Sequence, residues 1–400
     1  MTKIVKVTSY YKDYLHMYYS GELDLNLSYQ SQLDALLSKR VAWSDSYSYY
    51  LRKVGFDSVE IVANAVPLQK SWCRDNSLQF QSLKKTLVEQ LKSLKPNVIW
   101  FQDSYTYNGD FIDYLRSVIP SLKIVLGNCC SPITEYYIKR FQKFDKVVVC
   151  ANYFRDLFLK YGFKNIIVLP HAFDQRILSE ISSNDKYNDV VFSGSLMSDQ
   201  KFHSHRIKLL EQIVNANVNL KLFVNTNKKS SNYTYIRKSL YITNRVLRKI
   251  GLNSFNESVS LLKKFQGQRY MPSVTALSKK LSGLICNPIF GIDMFQLLSD
   301  SKIILNVHGD IASNFAANMR MFEATGVGSC LLTDKKDDLH HYFEDDEVVS
   351  YSSLNEAVEK ITWLMDNPRE LISFSKKGQE RTLLDHTFEK RVSVLSNYLM

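Results

Sequence analysis

Short apolar runs alternate with helix-patterned stretches through most of this 400-residue chain, and that rhythm leaves few architectures open. KIVKVTS (3–9), SVEIVA (58–63), NVIWFQ (97–102), KIVLGN (123–128), KVVVCA (146–151) and NIIVLP (165–170) read as strands. Between them, 77–94 and 151–162 carry apolar residues at helical spacing. Strands that are apolar on both faces must be covered on both faces, and the helices between them supply the crossovers that parallel pairing needs. The polar stretch SEISSNDKYND (179–189) interrupts the pattern as a linker. The rhythm restarts with a strand at 190–195, a helix at 203–216 and a strand at 219–225. It resumes with a strand at 302–310, a helix from about Ala316, strands at 329–334 and 347–351, and helices at 354–367 and 368–384, the last opening on Pro368. The expectation is an α/β chain of two doubly wound domains facing a cleft: residues 1–178, a linker at 179–189, and residues 190–385, with a C-terminal helix at 386–400.

Several chemistries lack their residues. The sequence contains no G-x-G-x-x-G, no G-x-x-x-x-G-K-[ST], no G-x-S-x-G and no H-E-x-x-H. The six cysteines (73, 129, 130, 150, 286 and 330) show no Cys-x-x-Cys spacing, so neither a disulfide framework nor a zinc site is expected. Without an Asp-x-Asp, a metal-bridged sugar nucleotide is disfavoured, and neither metal nor cofactor is expected. His340, His341, Glu344, Asp345 and Asp346 crowd together at a spacing that suits a solvated turn. No apolar run reaches about 18 residues, and Met1 leads directly into a strand, so the expected location is the cytoplasm.

The stretch NMRMFEATGVGSCLLTD (318–334) places one carboxylate, Glu323, on a short apolar helix. Doubly wound sheets bind ligands at the carboxyl ends of their strands. The strand at 302–307 ends at His308, and the following helix presents Asn318, Arg320 and Glu323 to that edge. Amide groups at a helix start favour phosphate, Arg320 adds a charge-assisted contact, and a carboxylate accepts two hydrogen bonds from a vicinal diol. Equally, Glu323 pairs with Arg320 three residues back and decorates the helix. Spacing leaves both readings open.

The motifs KIILNVHGD (302–310), RMFEATGVG (320–328), CLLTD (330–334) and DHTFEKRV (385–392) resemble the C-terminal region of GT-B glycosyltransferases, in particular the CgeB-like group of "family 1" glycosyltransferases. FSGSLMSDQKFHSHRIKLLE (192–211) and VLPHAFDQRIL (168–178) look like the same group. The resemblance covers the second half well and the first domain in outline. It implies two Rossmann-like domains, a nucleoside-diphosphate-sugar donor and no metal. Glu323 matches the acid that holds the donor ribose; Gly194, in a loop after the first strand of the second domain, would lie near the diphosphate; and Arg206 or Lys201 would be its counter-charge. His308, Asn318 and Arg320 complete the implied donor site. Many retaining relatives carry a second Glu eight positions earlier, where this chain has Phe315, so retention of configuration is not implied. The last helix would cross back to the first domain. On the acceptor side, Asp103 follows a strand as either a general base or a turn residue, His171 is either a substrate contact or structural, and Asn128 ends another strand.

The net charge of +11 is local. Residues 228–290 hold twelve Lys and Arg against Glu257, a difference of +11, and the remainder balances at 39 basic to 39 acidic. Within it, 231–251 is a basic amphipathic helix: Tyr235, Ile236, Leu240, Ile242, Val246, Leu247 and Ile250 form one arc, and Arg237, Lys238, Arg245, Arg248 and Lys249 the opposite one. That pattern suits an anionic membrane surface, or a helix packed on its own domain with solvated charges. Nucleic acid is disfavoured, because no recognised binding module accompanies the charge. The expected function is transfer of a sugar to an acceptor hydroxyl, with a lipid-linked glycan of bacterial surface-polysaccharide synthesis as acceptor. The alternatives are a protein or soluble-glycan acceptor, and a non-enzymatic anion- or nucleic-acid-binding protein on a degenerate frame.

Overall fold

The computed structural model describes residues 1–400 except 22, 132, 197–203, 227–230, 264, 266–270, 272–276, 309–311 and 400. The first sheet comprises β1 (Lys3–Thr8), β2 (Asp57–Val62), β3 (Val98–Phe101), β4 (Ile124–Cys129), β5 (Lys146–Val149) and β6 (Ile166–Val168). The second comprises β7 (Asn188–Leu196), β8 (Leu220–Thr226), β9 (Ile285–Cys286), β10 (Ser301–Asn306), β11 (Cys330–Asp334) and β12 (Val349–Tyr351). The first sheet runs β2-β1-β3-β4-β5-β6, the second β12-β11-β10-β7-β8-β9, and all the pairings are parallel. Numbered within its own domain, the second order is the 3-2-1-4-5-6 of a doubly wound sheet read from its far edge.

Alternation along the strands explains why both faces are covered. In the first sheet Val5, Ile99, Val125 and Val147 enter one core, which includes helices Leu83–Leu94 and Asp110–Val118. Their neighbours Ile4, Val98, Leu126 and Val148 enter the opposite core with Trp43, Tyr47 and Leu51. Phe388, Val392 and Leu395 of the last helix, Phe388–Ser396, belong to that second core, so the C-terminus of the chain finishes the first domain. The two domains also meet at Gly291, which holds φ at +59°, and where a Cβ would lie 1.9 Å from the Lys39 carbonyl oxygen. Ile292 donates its amide to that same oxygen at 2.9 Å. Only glycine fits there.

Three boundaries differ from expectation. The helix expected from 77 starts at Leu83, where Ser82 caps it by accepting from the Lys85 amide. The helix expected from Ala316 starts at Arg320, because Asn318 forms a turn that accepts from the Arg320 amide. Gly194 lies inside β7, paired with Val224, rather than in the loop beyond it. The basic segment is not all insertion either, since its end supplies β9 to the sheet.

Candidate active site

The second sheet changes winding direction between β7 and β10, and their carboxyl ends open a crevice there. Buried Arg206 spans it: Nε and Nη2 donate to the Val307 carbonyl at 3.1 and 2.8 Å, and Nη1 to the Ser195 carbonyl at 3.3 Å. Burial lowers its pKa, opposed by the nearby Asp334 carboxylate. Lys201 lies outside the described residues.

The helix Arg320–Gly326 enters from β10. Arg320 Nη1 lies 2.9 Å from a Glu323 carboxylate oxygen, so the i,i+3 pair does form. The same guanidinium reaches the Ser193 carbonyl at 3.3 Å and Met294 Sδ at 3.0 Å, while its Nε is buried with no partner among the described residues. Both side chains are largely buried, yet Glu323 lines a narrow space between the domains with Arg40, Ser46, Asp174 and Phe388. Its charge is also felt by Tyr11 of the first domain.

His308 and Asn318 hold this edge together rather than projecting from it. His308 Nδ1 lies 2.9 Å from Asp334 Oδ1, and its backbone amide donates to the same oxygen at 2.7 Å. Burial alone would raise the Asp334 pKa; the hydrogen bonds and charge of His308, with the charge of Lys336, overcome it and hold the carboxyl well below the usual range. Asn318 Nδ2 donates to Asn306 Oδ1 at 2.7 Å, tying the turn to β10. Lys336 adds a further cation, 3.4 Å from Asp334. Gly194 sits at the crevice mouth, where a Cβ would meet the Phe192 ring only at ordinary contact distance of 3.5 Å.

Across the crevice stands the corresponding point of the first sheet, between β1 and β3, marked by a Thr8–Gln102 hydrogen bond of 2.8 Å. Asp103 lies just beyond, half-buried, with Oδ1 accepting from the Thr106 amide at 3.1 Å. Tyr11, three residues past β1, had no signal in composition or motif. Its ring lies 6.4 Å from Phe290; the residue keeps 62% of its surface exposed, and partial desolvation at the crevice, then the Glu323 carboxylate, raise its pKa against the lowering influence of Arg320. The Tyr11 phenol of the first domain thus lies within electrostatic reach of the acid of the second. Position past a strand at the winding reversal is the signal that would have found it. Phe315 leans on the first domain too, 6.4 Å from Tyr153. His171 is buried, held by Arg391 through its carbonyl, and its pKa is pushed down to about 4 by burial and then Arg391. Asn128 is buried, its backbone amide donating to Ser104 Oγ at 2.6 Å.

The basic segment leaves the carboxyl end of β8, the same edge as the crevice, near an Asn225–Asp13 hydrogen bond between the domains. Its helix Ser231–Lys249 packs on Asn253–Ser258 and Ser260–Lys263 through Tyr241 and Asn244, and Asn244 Nδ2 donates to Asn256 Oδ1 and the Leu262 carbonyl, each at 2.9 Å. Most of the apolar arc is left outside: Tyr235, Ile236, Ile242, Val246 and Ile250 are 49–67% exposed, while Leu240 and Leu247 are half-buried. Arg245, Arg248 and Lys249 are exposed beside it, while Arg237 and Lys238 are half-buried, Arg237 with its guanidinium 5.7 Å from the Phe265 ring. Among the described residues, no helix is long and apolar enough to cross a membrane.

The glycosyl transferase-like family model matches residues 283–397, the segment that carries Arg320 and Glu323. No curated protein matches the chain by sequence. Among solved structures, Anabaena HepE in complex with UDP-glucose aligns over 100% of this chain and 99% of its own, with a TM-score of 0.58 and 9% identity. A Rickettsia africae glycosyltransferase aligns over 100% and 97%, with a TM-score of 0.52 and 11% identity. S. aureus TarM, in complex with UDP among other ligands, aligns over 81% of this chain at a TM-score of 0.51 and 12% identity. This chain spans 59–60% of the length of the TarM chains. The architecture is the GT-B fold of these structures, and the segment 283–397 matches the glycosyl transferase-like family. The CgeB-like group is not singled out.

Proposed function

We propose that the protein transfers a sugar from a nucleoside-diphosphate donor to an acceptor hydroxyl, with Glu323 as the ribose receptor. The observation that carries this is the placement of the Arg320–Glu323 pair beside the winding reversal of the second sheet, at the boundary between the domains. A ribose diol would accept the role that Arg320 now plays for Glu323, and the freed guanidinium, with its spare Nε, would turn to the diphosphate. Gly194, His308 and Asn318 shape the edge, and Arg206 and Lys336 supply positive charge. Leaving-group charge is then stabilised without a metal. Asp103 is the proposed base for the acceptor hydroxyl, and Tyr11 a hydrogen-bond donor to the transferring group. UDP-glucose, which HepE binds, is the first donor to try.

The acceptor reading is a lipid-linked glycan of bacterial surface-polysaccharide synthesis. Five exposed apolar residues on one arc beside exposed Arg and Lys form the contact expected of a helix lying on an anionic bilayer. The segment rises from the crevice edge, so docking would bring the acceptor side to the membrane. The test is nucleoside-diphosphate release from a panel of nucleotide sugars, with and without anionic vesicles carrying a polyprenyl-diphosphate-linked sugar. Turnover that needs the vesicles supports the lipid acceptor; equal turnover with a soluble glycan or protein replaces it; no turnover of any donor contradicts the transferase.

A further inference from the structure

The carboxyl ends of β4, β5 and β6 bring together three side chains that are far apart in sequence. Cys130 stands one residue past β4, Cys150 one past β5 and His171 three past β6. Their two sulfur atoms and one ring nitrogen all lie within 4.8 Å of one another. Both cysteines are free thiols. Cys150 and His171 are buried and Cys130 is half-buried, which leaves one approach from solvent. His171 Nδ1 is buried with no hydrogen-bond partner among the described residues. Buried polar atoms are almost always satisfied, and an exception calls for a missing partner.

We propose that Cys130, Cys150 and His171 form a binding site for a thiophilic divalent cation, zinc being the one that fits. Two sulfurs and an imidazole are ligands that zinc prefers over the hard cations. Tetrahedral bonds of about 2.3 Å to sulfur and about 2.0 Å to nitrogen would set the ligand atoms about 3.5–3.8 Å apart, a contraction of roughly 1 Å. On binding, two S–H bonds break, two Zn–S bonds and one Zn–N bond form, and two protons leave to solvent. The two thiolates then neutralise the ion, a requirement in so buried a place. The ion would pin three strand ends beneath the residue whose carbonyl Arg391 holds, on the acceptor side of the crevice. Spacing along the chain hides the set, because each ligand comes from a different strand.

Cobalt reports the site without any activity assay. The full chain, purified in reductant and freed of metal with chelator, is titrated with Co2+. One equivalent should bind, with the thiolate-to-cobalt charge-transfer band and the visible bands of tetrahedral cobalt, and zinc should displace it. C130S and C150S should each lose the charge-transfer intensity of one thiolate, and H171Q should weaken binding by at least the roughly 10–100-fold that losing an outer-shell partner costs. If variants unfold, alkylation of the native protein decides: zinc should protect Cys130 at least tenfold from a thiol reagent. Unchanged alkylation, spectra indifferent to all three substitutions, or a Cys130–Cys150 disulfide that forms in place of metal uptake would each overturn the proposal.

Discussion

At Arg320 and Glu323 a single pair serves two purposes that are hard to separate by inspection. The 2.9 Å contact satisfies the carboxylate, and it positions the same carboxylate for a diol. Either substitution leaves a largely buried guanidinium without its counter-ion, but Glu323→Gln keeps an amide oxygen that can accept from it, so it is a gentler probe than Glu323→Ala. Packing behind the pair is tight. A Cβ at Gly326 would lie 2.3 Å from the Phe173 ring, which is itself buried against Phe295. Gly326→Ala gains helix propensity but overpacks this contact, and the expected net loss is about 2 kcal/mol by chemical denaturation; unchanged stability would mean that Phe173 moves freely. Much of this site was legible in the sequence, since an acid and an arginine three residues apart beyond an apolar strand point to one edge. Tyr11 was not, because its place depends on how the first domain docks. The inward turn of His308 was hidden too, because its partner Asp334 comes from a neighbouring strand.

The elements show the same division. Strands were legible because apolar runs buried on both faces have few other uses, and the helix Ser231–Lys249 because its arcs are clear. Which arc stays open was not legible. Asn244 and Asn256 pair inside the helical hairpin, so a polar side packs and most of the apolar side remains exposed. The helices Lys12–Tyr19, Tyr29–Leu37 and Ser46–Lys53 escaped notice, since Tyr and Ser fill many of their positions and blur the period. For the basic segment, anionic vesicles should bind the protein and neutral ones should not. Each basic residue near such a surface contributes about 1 kcal/mol, so binding should fall steeply as salt shortens the Debye length. Ile236→Ser with Val246→Ser should weaken flotation at least tenfold, with the melting temperature nearly unchanged because both side chains are already exposed. Flotation that ignores salt and these substitutions would remove the membrane from the account.

Over the whole molecule, the linker and the C-terminal helix are both fastened to the first domain. Arg40 pairs with Asp45 and Glu180, Arg176 with Asp45 and Asp174, and the last helix completes the first core. His386 stands where the chain crosses back, with Nε2 2.8 Å from the Tyr342 carbonyl and Nδ1 accepting from Arg391 at 3.0 Å. Burial lowers its pKa to about 4, aided by Arg391 and Arg381 and opposed by the Tyr342 hydrogen bond and Asp385. The unfolded chain therefore takes up this proton first as pH falls. Stability from the neutral ring is complete above about pH 6.5 and is lost towards pH 4, by at most about 3 kcal/mol. His386→Gln should flatten that part of the pH–stability curve; an equally steep curve would assign the protonation elsewhere.

The most direct measurement is thermal stability with UDP, GDP, dTDP, CMP and ADP, on the native chain and on Glu323→Gln. A nucleotide at 100 times its dissociation constant adds about 2.7 kcal/mol. One of them should raise the melting temperature of the native protein, and Glu323→Gln, still folded, should lose most of that rise. A rise that survives the substitution unchanged would contradict Glu323 as the ribose receptor, and no rise with any nucleotide would contradict the donor site itself.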